Sequence, residues 1–248
     1  MAEEQGKRAG EATPEMKAQI DAWNEEWKGR DPLDVIRFFL ERFGEDIVLS
    51  TSLGLEDQVL TDMVTGLGRK TGIFTLDTGR LFPETYDLIA RTNKKYGIRM
   101  LTYFPDAAKV EDMVSKHGVN LFYDSLEKRK LCCGIRKVAQ LPRAFAGKEA
   151  WICGLRKDQS VSRFFNKLVE WDKANGLVKI NPLIEWTEER VWSYIREHDV
   201  PYNLLHDSGF PSIGCEPCTR AIEPGEDVRA GRWWWENEAH KECGLHKR

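Results

Sequence analysis

Apolar residues recur along this chain with two distinct periods. Ile20, Trp23 and Trp27 fall at helical spacing, as do Ile36, Phe39, Leu40 and Phe43, and they predict two opening helices that cover a core. Short apolar runs follow, each of strand length: 46–50 (DIVLS), 72–76 (GIFTL), 98–104 (IRMLTYF), 149–155 (EAWICGL) and a short fifth inside LVKINPL. Between them, residues 56–66, 84–96 and 106–117 carry helical spacing, as does the segment after Cys133. Residues 187–198 predict a further helix with Thr187 as N-cap, although Arg190 stands where a capping box prefers Glu. Strand and helix alternating in this way predict an α/β fold, a parallel sheet with helices on both faces. Ligands of such sheets bind at the carboxyl ends of the strands. The loops STSLGLED, LDTGRLFPE and GLRKDQS all leave strands at that edge.

Three segments are expected. Residues 1–15 are polar and read as disordered. Residues 16–200 form the α/β domain, including the pair Cys132-Cys133. Residues 201–248, where Pro, Gly, Cys and Trp dominate, read as a loop-rich segment organised by a metal. At 248 residues the chain is long enough to bury a sizeable core. Its net charge of −3 and pI near 6.0 argue against nucleic acid as a partner but allow a local basic pocket. No run approaches the roughly 18–20 apolar residues of a membrane span, and no secretory signal is recognisable, so a cytoplasmic location is expected.

That expectation changes the reading of six cysteines. A reducing compartment moves them from disulfides toward metal binding and catalysis. Adjacent Cys132 and Cys133 also make a poor disulfide, because neighbouring Cα atoms lie about 3.8 Å apart, short of the usual bridging range of about 4.4–6.8 Å. With Cys215 and Cys218 of GCEPC they make four candidate thiolate ligands for zinc or an iron–sulfur cluster. Structural zinc usually takes two spaced pairs, so the adjacent pair tilts the reading toward iron and sulfur. Lys128, Arg129, Lys130, Arg136 and Lys137 would offset the charge of such a cluster, or else form a solvated helix face. Cys153, in AWICGL, reads as core.

Other candidates are individually weak. Ser50, Thr51, Ser52 and Gly54 suit a phosphate or sulfate at a helix start, or simply an N-capped turn. Asp77, Thr78, Gly79 and Arg80 could meet a nucleotide sugar or base. Arg156, Lys157 and Arg163, with Arg229 and Arg232, suggest an anion pocket. Among Trp233, Trp234 and Trp235, at least one is expected to pack the lobe. Cys243, in a charged tail with Lys241 and His246 nearby, is the candidate nucleophile, since nearby cations lower a thiol pKa. Read without context, a Cys in such a tail is more often incidental. No histidine has metal-ligand spacing.

In their order along the chain, STSLGLEDQ, LDTGRLFPET, KLCCGIRK, GLRKDQSVSR, IGCEPCTR and GRWWWE with KECGLH strongly resemble the assimilatory adenylyl-sulfate reductases, of the bacterial type that carries a 4Fe-4S cluster. The resemblance runs from about residue 46 to the end. It implies an adenine-nucleotide α-hydrolase-like fold. It implies reduction of adenosine 5′-phosphosulfate (APS) to sulfite and AMP, with thioredoxin or a similar dithiol protein as electron donor. Carried over by motif, Cys132, Cys133, Cys215 and Cys218 would hold the cluster and Cys243 would be the nucleophile. Lys137 would link cluster and substrate, and Arg163, Arg229 and Arg232 would surround the phosphosulfate. Three alternatives remain at this point. One is a reductase of 3′-phospho-APS or of both substrates. Another is an ATP-using thiolation enzyme, although STSLGLED lacks the paired Gly and Ser of its loop. The last is a binding module without catalysis. Homo-oligomer formation is left open.

Overall fold

The computed structural model describes residues 10–159 and 163–237. Two helices open it, α1 (Pro14–Glu26) and α2 (Pro32–Phe43). Both start alike: Thr13 and Asp31 accept from the amides of Met16 and Leu33, and a proline follows where its missing N–H would have had no partner. The remaining elements alternate: β1 (Ile47–Ser50), α3 (Leu55–Gly66), β2 (Gly72–Leu76), α4 (Pro83–Tyr96), β3 (Leu101–Tyr103), α5 (Ala107–His117), α6 (Leu126–Arg136) and α7 (Leu141–Ala144). Then come β4 (Ala150–Ile152), β5 (Val169–Asp172), β6 (Leu177–Ile180) and α8 (Glu188–Glu197).

The strands form one sheet in the order β3-β2-β1-β4-β6-β5. All pairs are parallel except β5–β6. Period-2 alternation divides the strands between two cores. Ile47, Leu49, Ala150, Ile152, Val178 and Ile180 join residues of α1, α2, α3 and α8 on one face. Val48, Phe74, Trp151 and Leu177 meet Leu141, Ala144 and Phe145 on the other. Burial on both faces is why these strands read as continuous apolar runs rather than alternating ones. No helix among the described residues is long and apolar enough to cross a membrane.

The structure differs from the sequence reading in four places. The sheet is mixed, because residues 169–172 (VEWD), not read as a strand, form a hairpin with β6. The third and fourth strands are shorter than expected, at 101–103 and 150–152. Cys132-Cys133 lie inside the carboxyl-terminal half of α6 rather than ahead of a helix. Residues 10–15, expected to be disordered, belong to the folded body: the Gly10 amide donates to the Lys173 carbonyl, and the Gly10 carbonyl accepts from the Trp171 indole at 2.8 Å. These bonds cap the exposed edge beside β5, a place where unpaired backbone needs a partner.

The order of strands reverses between β1 and β4, and the loops after these two strands face each other there. One carboxylate ties them. Asp57, in the first turn of α3, accepts from the Ser52 amide at 2.6 Å and the Ser52 hydroxyl at 2.7 Å. Its other oxygen accepts from the Gly154 amide at 3.1 Å. Only glycine fits at residue 154, since a Cβ there would come within 2.5 Å of that oxygen and 2.8 Å of the Glu56 Cβ. Beside this tie, Arg156 donates to Glu56 at 2.7 Å. Leu53 completes the first loop in left-handed backbone (φ 64°), its amide bonded to the Thr51 hydroxyl.

Burial pushes the Asp57 carboxyl up to about 6, against hydrogen bonds from Ser52 that pull it down. The folded protein therefore holds this proton over a range where the unfolded chain has lost it, and the group's contribution to stability falls as pH rises through that range. The stability difference between wild type and Asp57→Asn, from urea midpoints, is expected to shift against wild type by up to about 3 kcal/mol as pH rises from about 4 to above 6. A difference flat across that range would show that the carboxylate is not desolvated.

Candidate functional site

A cavity of about 220 Å³ opens at the carboxyl edge of the sheet, between the loops that Asp57 ties. The first loop contributes Ser50, Thr51, Ser52 and Gly54 to its wall, and Gly54 is the N-cap of α3 without any capping side chain. The loop after β4 contributes Gly154, Leu155 and Arg156. The second loop contributes Thr78 but not Asp77. The Asp77 carboxylate accepts from the Gly79 amide at 2.7 Å and the Tyr86 hydroxyl at 3.0 Å, so it shapes the turn.

The cysteines enter from two directions. Ser125 caps α6, whose carboxyl-terminal half carries Cys132 and Cys133, and the helix stops at Lys137, which lines the cavity. Opposite, a short 3-10 turn, Glu216–Cys218, starts from Cys215 with Pro217 in its first positions. The second loop is zipped to this turn. The Glu216 amide donates to the Arg80 carbonyl at 2.9 Å, and the Thr78 hydroxyl lies 3.1 Å from the Cys215 sulfur. Arg136 donates to the Thr78 carbonyl at 2.8 Å, which closes the link back to α6.

Cys132, Cys215 and Cys218 share one small apolar cluster with Trp233, while Cys133, Cys215 and Cys218 all border the cavity. Burial pushes the Cys218 thiol up, and charge on Cys215, Cys133 and Cys132 pushes it further. Burial also raises Cys132, against the pull of Arg136. Among the described residues, no group of three or more His, Cys, Asp and Glu is arranged to hold a metal ion. The donor chemistry nevertheless suits one. Four thiols that repel one another's charge in a half-buried space gain most from a cationic centre that takes all four as thiolates. Their surroundings fit as well: Arg136 and Arg129 act on Cys132 and Cys133, whereas Lys128 turns outward to pair with Asp124.

Arg129 is buried at 2% exposure, donates to both Glu236 carboxylate oxygens at 2.9 and 2.7 Å, and lies over the Trp233 ring at 4.5 Å. Arg232 covers the same ring at 4.7 Å. Trp233 is thus the packing member of the triple tryptophan, a platform for two guanidinium groups. Arg232 donates to the Ile213 carbonyl at 3.0 Å and rests on Gly214, where a Cβ would fall within 2.3 Å of its Nη2. Arg163, buried, donates to the Gln159 side chain. Lys137, Arg163, Arg229 and Arg232 all line the one cavity. Four cations lining one cavity of a chain with net charge −3 give it a lining suited to an anion.

Cys153 also borders the cavity, but its thiol donates to Asn181 Oδ1 at 3.0 Å and burial pushes it up to about 12, so it is unreactive. Cys243 and His246, like Lys241, lie outside the described residues. The sequence reading missed Asp57, Glu56 and Glu236. The acidic pair in GLED, placed in a first helical turn, was the available signal for the first two.

A family model for the phosphoadenosine phosphosulfate reductase domain matches residues 46–221. An adenosine 5′-phosphosulfate reductase of Allochromatium vinosum is 55% identical over 204 residues, 82% of this chain and 80% of the relative. The crystal structure of a phosphoadenylyl-sulfate reductase from Candida auris, in a phosphate complex, superposes with a TM-score of 0.72 at 29% identity, covering 86% of this chain and 100% of that one. The FMN adenylyltransferase of Candida glabrata shares the fold alone, with a TM-score of 0.55 at 17% identity over 94% of this chain and 80% of that one. The adenine-nucleotide α-hydrolase-like fold is thereby shown, in a mostly parallel form. By the length of the family match and the identity to its relatives, this chain is an enzyme of the phosphoadenosine phosphosulfate reductase domain family.

Proposed function

We propose that this chain reduces APS to sulfite and AMP. The observation that carries the reading is the single cavity in which Lys137, Arg163, Arg229 and Arg232 face the carboxyl edge of a nucleotide-binding sheet beside the clustered cysteines. A phosphosulfate presents anionic oxygens on both phosphorus and sulfur, which suits several cations at once. The name of the 55% identical relative favours APS. So does the cavity lining, in which Asp57 and Glu188 would oppose a second phosphate on the ribose.

The chemistry follows from sulfur as electrophile. The Cys243 thiolate attacks the sulfuryl sulfur, the bond from sulfur to the bridging oxygen breaks, and AMP leaves with the electron pair. Lys137 and the three arginines offset charge that grows on the bridging and sulfuryl oxygens. The product is an S-sulfocysteine. A thiolate of thioredoxin, or of a similar dithiol protein, then attacks the Cys243 sulfur and releases sulfite, and its second thiol resolves the mixed disulfide. Both electrons come from that dithiol. Cys243 stands seven residues beyond Glu236, so the extended chain allows it at most about 25 Å from that anchored position, enough to serve the cavity and then a protein partner.

Cys132, Cys133, Cys215 and Cys218 would hold a 4Fe-4S cluster, which would supply fixed structure and charge beside Lys137 rather than electrons. Held so, their sulfurs would join α6, which carries Cys132 and Cys133, to the turn that starts from Cys215.

Mixing wild-type protein with APS in the absence of any dithiol should add one SO3 group to the peptide containing Cys243, detected by mass spectrometry. The same addition on Cys243→Ser protein would end this mechanism. With a dithiol protein present, kcat/KM for APS should exceed that for 3′-phospho-APS by at least about 10²-fold, as expected when a charged group must enter against carboxylates; equal values would reverse the substrate assignment. Protein purified without oxygen should contain iron and acid-labile sulfide, and Cys218→Ser should lose both. Stoichiometric zinc in their place would replace the cluster with a zinc site.

A further inference from the structure

Arg129 and Glu236 form a buried ion pair that no step of the proposed chemistry uses, and neither residue lines the cavity. Arg129 stands one helical turn before Cys132 and Cys133 in α6, on the face that Cys133 shares. Its guanidinium makes three kinds of contact. Nε and Nη2 donate to the two Glu236 oxygens at 2.9 and 2.7 Å, the Trp233 ring lies against it at 4.5 Å, and it is hydrogen-bonded to the Cys133 thiol.

Glu236 is held from its backbone as well. Its amide donates to the Trp233 carbonyl at 2.8 Å, and the Trp233 amide donates to the Cys218 carbonyl at 3.1 Å. Trp233 itself adopts left-handed backbone (φ 43°), which a bulky residue keeps only where its surroundings impose it. Glu236 is thus tied to both halves of the gathered cysteines, to Cys133 by way of Arg129 and to Cys218 by way of Trp233.

Stability alone does not account for such a pair. Desolvating two charges costs about as much as their attraction returns, and well-packed apolar side chains of the same size often serve as well or better. What a two-pronged guanidinium–carboxylate pair supplies is one distance and one orientation. The part of this chain that needs a fixed origin is the one that leaves at Glu236. Cys243 follows seven residues later, and its sulfur must meet the sulfuryl sulfur in line with the departing AMP. Displacement of that kind tolerates little misplacement of the nucleophile.

We infer that Glu236 is a positioning residue for Cys243: its pair with Arg129 fixes, relative to the gathered cysteines, the point from which the segment carrying the nucleophile starts. The inference rests on the reading of Cys243 as the thiol that receives SO3.

Full-length wild type and Glu236→Ala, purified without oxygen, test it in four measurements. These are the single-turnover rate at which saturating APS adds SO3 to the Cys243 peptide, the Kd for AMP, the rate at which iodoacetamide alkylates Cys243, and the iron content. Glu236→Ala should slow SO3 addition by about tenfold or more, the scale of a lost alignment between nucleophile and bound substrate. The other three should stay at their wild-type values. AMP affinity reports the cationic lining, iron reports the four cysteines, and alkylation by a freely diffusing reagent reports the thiol's own reactivity without any need for alignment. Glu236→Gln, which keeps the size and one acceptor, should lie between the two, and it carries the comparison if Glu236→Ala does not fold. SO3 addition at the wild-type rate in a folded variant overturns the inference. A fall shared with AMP affinity or iron content also overturns it, since the pair would then hold the lobe together, as does a fall matched by alkylation. Wild-type protein that gains no SO3 on Cys243 overturns the underlying reading, whereas wild-type addition with indifferent variants overturns only the role of Glu236.

Discussion

The cavity exists because one buried carboxylate spans the gap where the sheet reverses its strand order. Asp57 sits in the first turn of α3 and accepts from Ser52 on one loop and Gly154 on another. The two loops leave adjacent parallel strands and nothing in the sheet itself fixes their separation. A carboxylate with three donors does. Its burial is unfavourable to its charge, and the bonds from Ser52 and Gly154 are what offset that cost. Gly154 is the matching constraint, since any side chain there would strike the carboxylate. The Arg156–Glu56 pair repeats the link, two residues after Gly154 on one element and one residue before Asp57 on the other.

The second wall is built differently, from a lobe with little regular structure. Cys215 and Cys218 come from a short turn, and their neighbours are held by backbone bonds to the second loop and by the Trp233 platform. Two guanidinium groups share that ring, and they have different partners. Arg129 is neutralised by Glu236 in a buried bidentate pair, while Arg232 keeps its charge directed at the cavity wall. Breaking a buried pair such as Arg129–Glu236 by removing one partner typically costs about 3–5 kcal/mol, because a charge is stranded. The pair thus anchors the chain just before its terminal segment.

Neighbours rather than burial separate the cysteines, since Cys132, Cys153 and Cys218 are all buried. Cys153 is an ordinary core residue bonded to Asn181, although it lies at the cavity's edge. Burial and the charge of neighbouring thiols push Cys132 and Cys218 up, a condition that favours a shared cationic centre over independent thiols. Grouped cysteines first suggest a redox metal. In the proposed chemistry the electrons pass instead through a thiol in the tail.

Periodicity in the sequence determined most of the scaffold. The helical spacing of Ile36, Phe39, Leu40 and Phe43 and the apolar runs at 46–50, 72–76 and 149–155 mark elements that are buried on one or both sides, and burial writes itself directly into residue type. The hairpin strand at 169–172 escaped because, as an edge strand, it buries only Val169 and carries charge at Glu170 and Asp172. The ordered segment 10–15 escaped because backbone bonds to Lys173 and Trp171 hold it, and such bonds leave little mark on side-chain pattern. The site divides in the same way. Cysteine pairs and grouped arginines are legible because few other uses need those residue types together. Asp57 and Glu236 acquire meaning only from partners 97 or more residues away, as Asp57 does from Gly154 and Glu236 from Arg129. Which thiols, cations and loops share the cavity was decided by the tertiary fold, because only chain reversal at the edge of the sheet brings them within reach of one another.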